Sequence, residues 1–189
     1  MNIFVLTTGR SGSKTFAEAC RHLHGWTAGH ETRARRLWPR DYPPNHVEVD
    51  NRLVWFLGQL GEAYAGRDVL YVHLIRDAEA TALSFWRHSM PTAERPVAYP
   101  ASELRAFAHG LVMRPDIWAD YLPVARALVE AKNANIREFL RGRSGRAMTV
   151  HLEDGGSTFR IFLDRIGAEG ADRDAALAEW GVKHNEGPK

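Results

Sequence analysis

Thr7-Thr8-Gly9-Arg10-Ser11-Gly12-Ser13-Lys14-Thr15 concentrates chemistry near the start of this chain. Its two glycines permit a tight turn, Arg10 and Lys14 carry positive charge, and Ser11, Ser13 and Thr15 carry hydroxyl donors. Between an apolar run and a helix start, such residues make an anion site. Backbone N–H groups converge where the helix begins, and the helix dipole is positive there. The ligand this implies carries phosphate or sulfate. A Walker A loop needs a glycine immediately before its lysine, and Ser13 stands there instead. A tight strand-to-helix turn with surface basic residues is the competing reading.

Two further groups have the types and spacing for chemistry. Arg76 follows an apolar run, and Ser84 lies seven residues beyond the N-cap candidate Asp77. That is close to two helical turns, or about 10 Å along the axis, so Arg76 and Ser84 could clasp one anion by guanidinium fork and hydroxyl. A structural arginine with a solvent-facing serine is the alternative. His30-Glu31 places an imidazole beside a carboxylate, which offers a general base and a partner to orient it.

The elements that must position these residues read as follows. Ile3–Leu6 is a short apolar strand, and a helix runs from Ser13 to about Leu23. Gly25 to Glu31 reads as irregular, and Arg33, Arg35, Arg36 and Arg40 fall in a loop punctuated by Pro39, Pro43 and Pro44. Val47–Asp50 is a short extended piece. Asp50 or Asn51 then caps a helix carrying Leu53, Leu57, Leu60 and Tyr64, closed at Gly66. Val69–Ile75 is the best strand, with His73 a core histidine. A helix runs from Asp77 to about Trp86, and Pro91–Pro100 is a loop. Helices follow from Ser102 and after Pro115, whose stripe includes Trp118; then come a strand at Ala147–Leu152, a helix at Ser157–Ile166 and a last helix ending near Trp180.

This alternation predicts a three-layer α/β/α fold around a central parallel sheet, as one domain over residues 1–189. Ligands of such sheets bind at strand carboxyl ends, so Gly9–Thr15, Arg76 and Glu153 should line one rim. Apolar residues make up 44% and charged residues 25%, as in an ordinary globular protein. A formal charge of +2 argues against nucleic acid as a partner and for a local basic pocket. A single cysteine, Cys20, excludes an internal disulfide and points to a reducing, cytoplasmic setting. No apolar run spans a membrane and no signal peptide is evident. The histidines are scattered without a metal-ligand spacing.

Gly9-Arg-Ser-Gly-Ser13 resembles the 5′-phosphosulfate loop of sulfotransferases that use 3′-phosphoadenosine 5′-phosphosulfate (PAPS). Arg76-Asp77 with Ser84 resembles their 3′-phosphate motif, and Val150-His-Leu-Glu153-Asp154 resembles a late strand and acidic pair of the same P-loop NTPase-like fold. Order and separations agree over nearly the whole chain. The resemblance implies that Arg10 contacts the sulfate and leaving phosphate. Ser11, Gly12, Ser13, Lys14 and Thr15 would wrap the 5′-phosphate, and Arg76 and Ser84 would hold the 3′-phosphate. Lys183 and Asn185 fall where a late loop completes the nucleotide site. Lys14 departs from the commonest pattern, which has a hydroxyl, and the long late Gly-rich signature is absent.

The reaction implied is in-line sulfuryl transfer to a hydroxyl or amine of a small-molecule or carbohydrate acceptor. Arg10 and Lys14 would act on charge at the leaving phosphate, with His30 or Glu31 as base, Glu48 and Asp50 in reserve, and no metal required. Trp26, Trp38, Tyr42 and Tyr99 could stack on an acceptor or pack their loops. A P-loop small-molecule kinase, with Asp77 as magnesium ligand, and a non-catalytic nucleotide- or sulfate-binding module are the competing functions.

Overall fold

The computed structural model describes residues 1–38, 41–89, 103–111, 113, 121–182 and 184. Five strands form one sheet: β1 (Asn2–Thr7), β2 (Thr27–His30), β3 (His46–Val49), β4 (Val69–Ile75) and β5 (Ala147–His151). All pairings are parallel and the order is β2-β3-β1-β4-β5. The central strand explains itself: Ile3, Phe4, Val5 and Leu6 are all fully buried, so both faces of β1 are covered.

Alternation along β1 divides the core into two layers. Ile3 and Val5 pack with Phe16 of α1 (Ser13–Cys20), Phe159 and Phe162 of α6 (Ser157–Arg165) and Trp180 of α7 (Gly170–Trp180). The Trp180 ring stacks on Phe159 with centroids 4.1 Å apart. Phe4 and Leu6 face the other way. They meet Leu53 of a 3-10 helix (Asn51–Phe56), Leu60 of α2 (Leu57–Ala63), Tyr64, and Ile136 near the end of α5 (Tyr121–Leu140). The fold is therefore a three-layer α/β/α sandwich around a parallel sheet. The path leaves β1 for β2 and β3 on one side and crosses to β4 on the other, so strand order reverses around β1.

The chain divides into two compact units, Met1–Arg76 with Asn135–Lys189, and Asp77–Ala134. The sheet belongs to the first. The second is helical and holds α3 (Ala78–Ser89), α4 (Glu103–Ala106) and the first part of α5. Its core joins Ala82, Phe85, Leu104, Ala108, Tyr121 and Leu128. In this unit Arg126 grips Glu79 through Nε and Nη2 at 2.8 and 2.6 Å, and the buried Lys132 amine lies 2.7 Å from Glu103 Oε1.

The structure departs from the sequence reading in several places. Thr27–His30, read as irregular, is an edge strand, held because its backbone pairs with β3 from Thr27↔His46 to His30↔Val49. The helix read after Asp50 is a 3-10 segment followed by α2, its start capped by Asp50 Oδ1 accepting from Arg52 N at 2.8 Å. Helix α1 stops at Cys20, and α3 continues to Ser89. The readings at Arg40, Pro91–Pro100, Tyr99, Ser102, Trp118, Lys183 and Asn185 lie outside the described residues. Among the described residues, no helix is long and apolar enough to cross a membrane.

Candidate anion-binding site

The loop after β1 is built by positive backbone dihedrals. Gly9 (φ 84°), Arg10 (φ 58°) and Gly12 (φ 85°) all lie in the left-handed region, where turns of this kind bring successive N–H groups to one side. Gly12 is required twice over. A Cβ there would also lie 2.5 Å from Leu152 Cδ1. Arg10 is not a glycine, and holding it left-handed costs about 1–2 kcal/mol. In that conformation its carbonyl accepts from Arg76 Nη1 at 3.1 Å, a contact that offsets part of the cost.

Side-chain hydroxyls stitch the loop internally. Thr7 Oγ1 and Ser11 Oγ are hydrogen bonded, Gly9 N donates to Thr7 Oγ1 at 3.4 Å, and Thr8 Oγ1 donates to the Gly9 carbonyl at 2.9 Å. Helix α1 follows directly, and its ladder opens with Phe16 N donating to Gly12 O at 3.0 Å. The N–H groups of Ser13, Lys14 and Thr15 thus precede the i−4 ladder. Thr15 Oγ1 donates to the Val182 carbonyl at 3.5 Å, joining the segment just beyond α7 to the helix start.

Two guanidinium groups meet at this loop. Burial, with the neighbouring Arg76 charge, holds the Arg10 guanidinium below its ordinary pKa. Arg76 stands at the carboxyl end of β4, its Nε buried and 3.5 Å from Glu153 Oε1. Glu153 follows β5, whose last residue, His151, is level with Ile75. Asp154 caps α6, accepting from Gly156 N at 3.0 Å and Thr158 N at 2.9 Å.

His30 ends β2, level with Val49, which is itself level with Val5 of β1. Its Nε2 lies 2.9 Å from Ser13 Oγ, the first residue of α1. Glu31 does not orient it: the Glu31 carboxylate takes Arg52 Nη1 at 2.8 Å. Glu48 is fully buried and accepts from Thr32 N (2.8 Å), Thr32 Oγ1 (2.5 Å) and His46 Nε2 (2.9 Å). His46 is held in turn by Thr27 Oγ1 on Nδ1 at 2.7 Å.

The structure therefore gathers Arg10, Ser11, Gly12, Ser13, Lys14, Thr15, Arg76 and His30 along the carboxyl-end rim of the first unit, with Glu31, Glu48 and Asp50 on the adjoining loop and strand. Ser84 lies half-buried on α3 of the second unit, and Asp77 caps that helix by accepting from Ala80 N at 2.7 Å. Trp38 stacks on Phe56, and Tyr42 stacks on His46, so these rings pack their loop down. Trp26 packs against the core. Two features escaped sequence reading. The Ser13–His30 contact joins residues seventeen apart, and the αL backbone of Arg10 has no side-chain signature. Among the described residues, no group of three or more His, Cys, Asp and Glu is disposed to hold a metal ion.

No protein-family model, curated protein or solved structure matches the chain.

Proposed function

We propose that this chain is a PAPS-dependent sulfotransferase that moves a sulfuryl group to a hydroxyl or amine of a small-molecule or carbohydrate acceptor. The observation that carries the reading is the meeting of Arg10 and Arg76 at a hydroxyl-rich loop that runs into a helix start. Two guanidinium groups at one partly desolvated rim, Arg76 also paired with Glu153 Oε1 at 3.5 Å, support an anion as the ligand. In the proposed reaction the donor supplies an activated sulfuryl group. Arg10, Lys14 and the amides of Ser13 to Thr15 would stabilise charge building on the leaving phosphate.

His30 is the base this reading favours, since it borders the loop while Glu31 is tied to Arg52 and Glu48 is enclosed among its own donors. Arg76 would bind the 3′-phosphate, the group that separates PAPS from ATP. The test is calorimetric titration with 3′,5′-ADP, 5′-AMP and ATP in EDTA, on wild type and Arg76→Ala. The expected result is a preference for 3′,5′-ADP that falls about ten- to a hundredfold in the variant, the worth of a lost charge-assisted hydrogen bond. A preference for ATP that needs magnesium would refute the proposal and favour a kinase.

A further inference from the structure

The Ser13–His30 contact links the anion loop to the candidate base through one hydroxyl. Ser13 is 8% exposed, and its Oγ sits 2.9 Å from His30 Nε2. A serine hydroxyl owns a single proton but two acceptor lone pairs. With the loop empty, that proton can point to Nε2, or Nε2–H can point to Oγ. An anion in the loop removes the choice. Ser13 begins α1, beside N–H groups that precede the helical ladder, so its proton is drawn to the anion. Oγ can then only accept from His30.

We propose that Ser13 is a positioning residue that reports loop occupancy to His30. A bound anion fixes Nε2 of His30 as a hydrogen-bond donor and leaves Nδ1 as the nitrogen that receives an acceptor's proton. This inference rests on the reading of the loop as an anion site and of His30 as the base. Its consequence is ordering: the base takes its working tautomer once the donor is seated. Linkage makes the effect reciprocal: an imidazole carrying its proton on Nε2 binds the anion tighter than the other tautomer by the same factor by which the anion favours that tautomer.

The contact runs between the first residue of α1 and the last residue of β2, two elements of the first unit. Strand pairing fixes the histidine end, since His30 is level with Val49 in the ladder. The serine end is fixed by the left-handed Gly12 that precedes it.

The experiment is nitrogen NMR of histidine-labelled protein, with the His30 ring assigned from His30→Gln. 3′,5′-ADP and inorganic pyrophosphate are titrated separately in EDTA, with calorimetry alongside. In wild type the His30 Nε2 resonance is expected to move toward the protonated, pyrrole-like position as either anion binds. Ser13→Ala loses a donor to the anion and should bind it more weakly, and at saturating anion Nε2 should not move; Ser13→Thr, which keeps the hydroxyl, should restore both. Anion binding with Nε2 unmoved, or an equal movement in Ser13→Ala, overturns the proposal. If pyrophosphate binds and moves Nε2 while 3′,5′-ADP is not preferred, the coupling stands and the PAPS reading falls. If 3′,5′-ADP is preferred and Nε2 does not respond, the PAPS reading stands and the coupling falls. If neither anion binds, both fall.

Discussion

Gly12→Ala tests whether the loop is held as tightly as its geometry indicates. Two costs can be separated. At φ 85° an alanine sits in the left-handed region, which costs about 1–2 kcal/mol, offset by about 0.4–1 kcal/mol from a stiffer unfolded chain. Its Cβ would also lie 2.5 Å from Leu152 Cδ1 and 2.8 Å from Cδ2, an overpacking worth about 1–3 kcal/mol. Gly25 has φ 77° and nothing within 4 Å of its Cβ position, so Gly25→Ala carries the backbone cost alone. Urea unfolding, followed by fluorescence and circular dichroism together, should place Gly12→Ala about 1–3 kcal/mol below Gly25→Ala. In a double-mutant cycle, Leu152→Ala should recover most of that difference, leaving the backbone term. Equal effects of the two glycine substitutions, or no coupling to Leu152, would refute the packing argument. The same displacement moves the amides of the loop, so Gly12→Ala should also weaken 3′,5′-ADP binding where Gly25→Ala does not.

Other expectations follow from single contacts. His46→Ala removes a donor from the fully buried Glu48 and should cost about 1–3 kcal/mol in urea unfolding, with 3′,5′-ADP affinity nearly unchanged. The Cys20 thiol is completely buried and its pKa is driven well above the ordinary range by desolvation. Alkylation followed by mass spectrometry should therefore label it only when denaturant is present. For Asp154, desolvation raises the pKa, but hydrogen bonds from Thr158, Gly156 and Ser157 outweigh it and the net shift is downward. A carboxyl depressed in the folded state stabilises above its unfolded pKa and loses that contribution as pH falls through the folded value. Asp154→Ala should thus cost about 1 kcal/mol at neutral pH, with the difference from wild type narrowing below about pH 4.

The fold was legible where one physical signal dominated. Ile3–Leu6 is an unbroken apolar run and Val69–Ile75 is apolar apart from His73, and the structure makes them adjacent strands, with Asn2–Thr7 in register with Val69–Leu74. Gly9 and Gly12 marked the loop, and both have positive φ. Strand β2 was illegible for a concrete reason. Thr-Ala-Gly-His has neither alternation nor bulk, and it is extended because β3 supplies a partner from nineteen residues further on. Tertiary pairing overrode weak local preference. The short 3-10 segment at Asn51–Phe56 was likewise hidden, since its buried Leu53 fits either helical period.

The same edge strand explains why His30 and Glu31 do not act as the pair their adjacency suggested. Strand β2 closes at His30, and Glu31 turns out of it into the left-handed region at φ 55°. His30 points to the α1 face, where it meets Ser13, and Glu31 reaches Arg52 of the 3-10 helix, which packs on the other face. Adjacent residues do not face each other on a helix or along a strand, and here the left-handed turn at Glu31 carries its carboxylate to Arg52. A carboxylate able to orient His30 would have to come from the α1 face, and an orienting role for Glu31 is refuted if Glu31→Gln leaves the His30 ring resonances in place. On the proposed reading the loop hydroxyl of Ser13 is the group that sets the imidazole, tying proton acceptance to the anion site rather than to a neighbouring acid.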